Sequence, residues 1–166
     1  PNEARIRLAT FLDRVDRYDT DRDRIDRNAT SQLSVDLRFG TVSPRAVVTA
    51  VGDSTEARRA FVRQLAWRDW WAPLLRSEPR VGDEPPNERF TQLGWLDSPG
   101  DVSAWKGGFT GYPIVDAAMR QLREEGWIHN RLRMVVGSFL CKDLLVDWRL
   151  GERHFRHLLV DFDVAQ

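Results

Sequence analysis

The sequence predicts an all-α protein. Three observations carry that prediction. Apolar residues recur at three- and four-residue intervals in nearly every long segment, which gathers them on one side of a helix. No segment alternates polar and apolar residues over a strand's length, and no internal repeat is present. Proline and glycine stand where helices would begin and end, the positions their backbone restrictions favour. The 166 residues are enough for one domain with a continuous core. The architecture expected is a set of packed helices rather than a four-helix bundle of simple topology.

The elements follow in order. Ile6, Leu8, Phe11, Leu12 and Val15 recur at helical spacing in the first segment. Alternating Asp and Arg from Asp13 to Arg27 predict a solvated helix end and loop, held by exposed ion pairs that contribute little each. Ser43-Pro44 reads as a helix start, with Ser as N-cap and Pro in the first turn, and that helix ends near Gly52. Asp53 and Glu56 have capping-box spacing and open a long helix through Phe61, Leu65 and Trp70 towards Leu75. Pro79, Pro85 and Pro86 predict an irregular connection. A short helix from Val102 to Trp105 stops at Gly107-Gly108. Pro113 opens a helix that Gly126 closes. Asn130 caps the next, whose apolar side is Leu132, Val135, Val136, Phe139, Leu140 and Leu144. The last helix runs from about Glu152 to Leu159 and carries Phe155, Leu158 and Leu159.

Composition narrows the function classes. Lys plus Arg and Asp plus Glu balance at 25 each, which excludes a uniformly positive nucleic-acid coat but not a local basic patch. Only Lys106 and Lys142 are lysines. The Arg excess suits bidentate phosphate contacts, and codon bias in a GC-rich genome explains it equally. Cys141 is the single cysteine and lies in an apolar run, so no intrachain disulfide is possible and a cytoplasmic, reducing setting is expected. No apolar stretch has the length a bilayer needs. There is no GxGxxG, GxxxxGK[ST] or GxSxG motif. His154 and His157 stand one helical turn apart with no Cys or acidic cluster to complete a metal site, so no metal is expected.

Three clusters carry chemical interest. Thr30 to Ser34, TSQLS, is a hydroxyl-rich turn ahead of Asp36, Leu37 and Arg38. Such a turn suits an anion such as a pyrophosphate, and it also suits plain helix capping. In RQLAWRDWW, Gln64, Trp67 and Arg68 share a helix face, and spacing alone favours Trp67 packed inside a core. In WIHNRLRM, Asn130, Arg133 and Met134 share a face while Arg131 points elsewhere.

From Thr110 to Glu152 the chain reads TGYPIVDAAMRQLREEGWIHNRLRMVVGSFLCKDLLVDWRLGE. This stretch resembles the flavin-binding half of the DNA photolyase and cryptochrome family, and the resemblance runs from near Tyr18 to the end. It implies that Thr30, Ser31, Leu33 and Ser34, with Tyr18 twelve residues before Thr30, hold the phosphates of FAD. It implies that Trp67 stacks on a flipped-out base and that Gln64 and Asn130 hydrogen-bond the lesion. Met134 then lies by lesion and flavin, and Arg131 on a DNA phosphate. Arg133 pairs with an acidic residue, Asp161, beside the flavin ring, and Asp163 joins Asp161 near the ribityl chain. Trp148 and Trp95 match the middle and outer tryptophans of an electron relay. Gln64 departs from the Glu of many cyclobutane-dimer members. Asn130 with Met134 nevertheless points to that class, because members acting on the other common pyrimidine lesion carry His at the Met134 position.

The function implied is light-dependent repair of pyrimidine dimers in DNA by a deoxyribodipyrimidine photolyase. A cryptochrome-like photoreceptor without repair is the alternative. The resemblance also implies that residues 1–166 are a single helical domain, a fragment of the FAD-binding region that lacks the amino-terminal α/β antenna domain and is incomplete at its carboxy-terminal end. Weak or absent flavin retention and self-association of the fragment are expected from that reading.

Overall fold

The computed structural model describes residues 2–85 and 87–165. It contains the helices α1 (Asn2–Leu12), α2 (Tyr18–Asp21), α3 (Ser34–Phe39), α4 (Pro44–Val51), α5 (Glu56–Ser77), α6 (Pro99–Gly107), α7 (Pro113–Glu125), α8 (Asn130–Ser138) and α9 (Trp148–Leu158). Among the described residues there is no strand. The chain forms two compact units, Pro1–Pro79 with Asp163–Gln166, and Arg80–Phe162.

In the first unit, Phe11, Val15, Leu33, Val47 and Val51 are fully enclosed with Phe61 and Leu65. Phe11, Tyr18 and Phe61 form a ring cluster with centroids 4.6 to 5.9 Å apart, in the tilted and edge-to-face arrangements aromatic quadrupoles favour. Ile6 is exposed, and α1 turns Ala4 and Phe11 inward instead. Val15 belongs to a 3₁₀ turn, Val15–Arg17, that follows α1. Asp16 on that turn accepts from Thr55 Oγ1 and from Arg58 Nε and Nη2. It thereby pins the start of α5, where the expected capping box does not form. Thr55 is the N-cap and accepts from Arg58 N–H, while Glu56 binds Arg59 and Arg63 further along. Ser43 occupies the N-cap position of α4 ahead of Pro44, but its side chain makes no capping bond. The Asp/Arg-rich stretch is a solvated loop with exposed pairs such as Arg24–Asp26.

In the second unit, Trp105, Met119, Leu122, Ile128, Val136, Leu140 and Val146 are enclosed. Trp105 donates from Nε1 to the Val136 carbonyl at 3.0 Å, which meets the polar demand of a buried indole. α6 starts at Pro99, earlier than the apolar pattern alone indicated, and ends on Gly108 at φ +71°. A side chain at Gly108 would also meet the Asp116 carbonyl at 2.8 Å, so glycine is required there twice over. The connection before α6 carries short 3₁₀ turns at Pro79–Gly82 and Glu88–Gln92; Pro86 lies outside the described residues.

Three expectations in this unit are corrected. The N-cap of α8 is His129, whose ring Nδ1 accepts from Arg131 N–H, and Asn130 is the first helical residue. The apolar run after α8 does not continue as α-helix. It widens into a π turn, Phe139–Asp143, and Leu145 adopts φ +52°. The last helix consequently begins at Trp148, four residues before Glu152, with Asp147 as N-cap accepting from Arg149 N–H.

Candidate functional site

In the first unit the TSQLS turn is built around Gln32, a non-glycine residue at φ +53° and thus in a sparsely populated region. That residue reverses the chain so that Leu33 points into the core, fully buried, while Thr30, Ser31 and Ser34 stay at least partly accessible. Ser31 Oγ accepts from Leu33 N–H at 3.3 Å. Leu33 therefore offers a ligand only its backbone. Tyr18, buried, opens α2 beside Phe11 and Phe61. Asp163 lies 4.0 Å from Arg38 and accepts from Ala165 N–H. Asp36 beneath the turn accepts a fork from Arg7 at 2.9 and 3.0 Å and a bond from Thr41 Oγ1. The Arg7 bonds hold its carboxyl below the usual carboxylate range.

On α5, Gln64 folds back so that Nε2 donates to the Ala60 carbonyl. Arg68 donates to the Leu37 carbonyl at 3.1 Å. Trp67 is 55% exposed, so the core position that spacing favours is wrong. Its ring stacks on exposed Trp71, centroids 6.3 Å apart and planes 28° from parallel. Trp70 is exposed beside them. Adjacent exposed indoles form an apolar surface of the kind that marks an interaction site or a ligand groove.

In the second unit, Asn130 and Met134 are exposed on one face of α8, Nδ2 and Sδ 4.0 Å apart. Arg133 lies alongside. Its Nη2 meets both Asp161 oxygens at 3.0 and 2.8 Å, and its Nε donates to the Ile128 carbonyl. The Asp161 side chain is 2% exposed, so this is a fixed carboxylate held by one guanidinium. Arg131 is half-buried. Trp148, the first residue of α9, is half-buried with the Arg149 guanidinium 4.9 Å above its ring centre. Trp95 is half-buried, and the segments of the two tryptophans are joined by Leu96 N–H donating to the Leu145 carbonyl.

Sequence reasoning missed Asp116. Its carboxylate accepts from Thr110 Oγ1 and from the N–H groups of Thr110 and Gly111, with the Thr110 hydroxyl first among the causes of its lowered pKa. It fixes the loop that presents Phe109 and Tyr112 to solvent. The only sequence signal is an Asp in the first turn of a helix after Thr-Gly, where any acidic residue favours the helix dipole.

Comparison with known proteins settles the class first. The sequence model described as the FAD binding domain of DNA photolyase matches residues 61–166, which makes this a helical flavin-domain fold. The chain belongs to the DNA photolyase FAD-binding domain family. Among its relatives, the deoxyribodipyrimidine photo-lyase of Alkalihalophilus pseudofirmus is 46% identical over 154 residues, 90% of this chain and 32% of the relative. That of Streptomyces griseus is 48% identical over 149 residues, 89% of this chain and 32% of the relative. A class III photolyase structure from Agrobacterium tumefaciens matches with a TM-score of 0.94 at 42% identity, covering 98% of this chain and 35% of that one. A Synechocystis cryptochrome matches at 0.92 and 30% identity, covering 99% and 36%. The chain thus spans about a third of the length of the curated relatives it matches.

Proposed function

We propose that this chain supplies flavin and lesion contacts of a light-dependent deoxyribodipyrimidine photolyase that repairs UV-induced pyrimidine dimers in DNA. The observation that carries the reading is the name shared by relatives 41 to 48% identical to it, each a deoxyribodipyrimidine photo-lyase. The donor set of the first unit fits an FAD pyrophosphate: Thr30, Ser31 and Ser34 bring hydroxyls to one short turn, with Tyr18 and Asp163 assigned to the same cofactor. In the second unit, Arg133 holds the Asp161 carboxylate as a fixed acceptor suited to the polar edge of a flavin ring. FAD supplies the one-electron chemistry when bound.

The remaining roles belong to the chain's own side chains. Trp67 stacks a base extruded from the duplex, through the part of its ring that is exposed. Gln64 and Asn130 offer amide donors and acceptors to the base edge. Met134 packs beside Asn130, and Arg131 positions the strand through a phosphate. Trp95 and Trp148 pass electrons. A photoreceptor without repair is the second reading, favoured by Gln64, which supplies no ionisable carboxyl, and by the likeness to the Synechocystis cryptochrome. Illumination of the flavin-loaded protein with a dimer-containing oligonucleotide separates them. Light-dependent restoration of the pyrimidines supports repair, and its absence at full flavin occupancy overturns it. No helix among the described residues is long and apolar enough to cross a membrane.

A further inference from the structure

We propose that the cavity between the end of α1 and the 21–29 loop binds a phosphate group. The cavity measures about 90 Å³ and is lined by Arg14, Arg17, Asp21, Arg27, Asn28 and Ala29. Asp21 lies 3.8 Å from Arg17 and 3.5 Å from Arg27, so one carboxylate already serves two guanidinium groups. Among the described residues Arg14 meets neutral oxygens only: Nη2 donates to the Thr30 carbonyl at 3.1 Å and to Asn28 Oδ1 at 3.4 Å. Its Nε is buried without a hydrogen-bond partner, a state few buried polar groups occupy. The lining therefore holds two positive charges beyond what Asp21 neutralises, and more N–H donors than acceptors.

A phosphate group answers both excesses. It brings one to two negative charges and several acceptor oxygens, and guanidinium forks pair with it bidentately. The chain is neutral overall, so the excess is a local feature and not a consequence of a basic protein. The cavity adjoins the proposed flavin turn through the Arg14 bond to the Thr30 carbonyl, but Tyr18, Thr30, Ser31 and Ser34 do not line it. A small free phosphate and a phosphate of a nucleic-acid backbone present the same recognition chemistry.

The test is an NMR titration of the 166-residue chain at fixed ionic strength, following the arginine Nε–Hε resonances. Inorganic phosphate should give a saturable shift confined to Arg14, Arg17 and Arg27. Arg14→Gln should weaken it by roughly tenfold, the worth of one charge-assisted hydrogen bond. Arg27→Gln, an exposed residue whose loss spares the core, should do the same. An undamaged single-stranded oligonucleotide is the second arm. Displacement of phosphate by it identifies a backbone phosphate, and failure to displace identifies a small one. Linear, unsaturating shifts indifferent to both variants overturn the proposal. So does phosphate binding that Ser31→Ala with Ser34→Ala abolishes while Arg27→Gln leaves it intact, since the site would then be the flavin turn.

Discussion

Asp161→Ala is the substitution whose cost the structure specifies best. The carboxylate is 2% exposed and meets Arg133 Nη2 at 2.8 and 3.0 Å, while the Arg133 side chain is 26% exposed. Truncation removes both acceptors and leaves a guanidinium about three-quarters enclosed, with the Ile128 carbonyl its one remaining acceptor among the described residues. Cutting one partner from a fully buried pair costs about 3–5 kcal/mol. The partial exposure of Arg133 admits water and lowers the figure to about 2–3 kcal/mol. With a urea slope of about 2 kcal/mol per molar, the unfolding midpoint should fall by about 1–1.5 M, read by far-UV circular dichroism. Arg133→Met with Asp161→Ala should lose less than Asp161→Ala alone, because no buried cation is stranded. A midpoint shift below about 0.3 M, or a double variant as unstable as the two singles added, refutes the reasoning.

Three further outcomes are expected. Gly151→Ala places a Cβ 2.6 Å from Leu140 Cδ2; Leu140 is enclosed in the core and has little room to give. Overpacking of about 1–3 kcal/mol should exceed the helix-propensity gain of about 1 kcal/mol, so an unchanged or raised Tm contradicts it. His154 has its pKa pushed down to about 4 from 6.5, first by burial and then by Lys106 and His157. The unfolded chain therefore binds the proton more tightly, so stability present above pH 6.5 declines as pH falls towards 4. His154→Leu should flatten that part of a Tm–pH profile, and an unaltered slope removes His154 from the account. Trp67→Ala should leave Tm nearly unchanged, since the ring is 55% exposed, yet weaken binding of a dimer-containing oligonucleotide by about 1–3 kcal/mol; equal affinity in a gel-shift titration takes Trp67 out of the site.

The boundaries that sequence revealed are those written in backbone chemistry. Pro44 and Pro113 open α4 and α7, and Gly52, Gly108 and Gly126 follow the last residues of α4, α6 and α7, because proline and glycine act through their own dihedrals. The caps were less legible. Thr55, His129 and Asp147 cap by side-chain geometry, and a nearby Asp53 or Asn130 competes for the same reading at the first two. The π turn at Phe139–Asp143 left no mark, since a short apolar run has the same pattern at either helical pitch. Trp67 shows the limit of periodicity: spacing assigns it a face but not what covers that face. Arg133 and Asp161 are 28 residues apart, and only likeness to a known family linked them before the structure did.

The central claim is that the TSQLS turn holds the phosphates of FAD. A fluorescence-anisotropy titration of FAD with the chain, beside a Thr30→Ala, Ser31→Ala, Ser34→Ala variant of equal helicity, tests it most directly. Weak but saturable binding, loosened at least tenfold in the variant by the loss of hydroxyl–phosphate hydrogen bonds, is the predicted result. Saturable binding of equal strength in both proteins contradicts it.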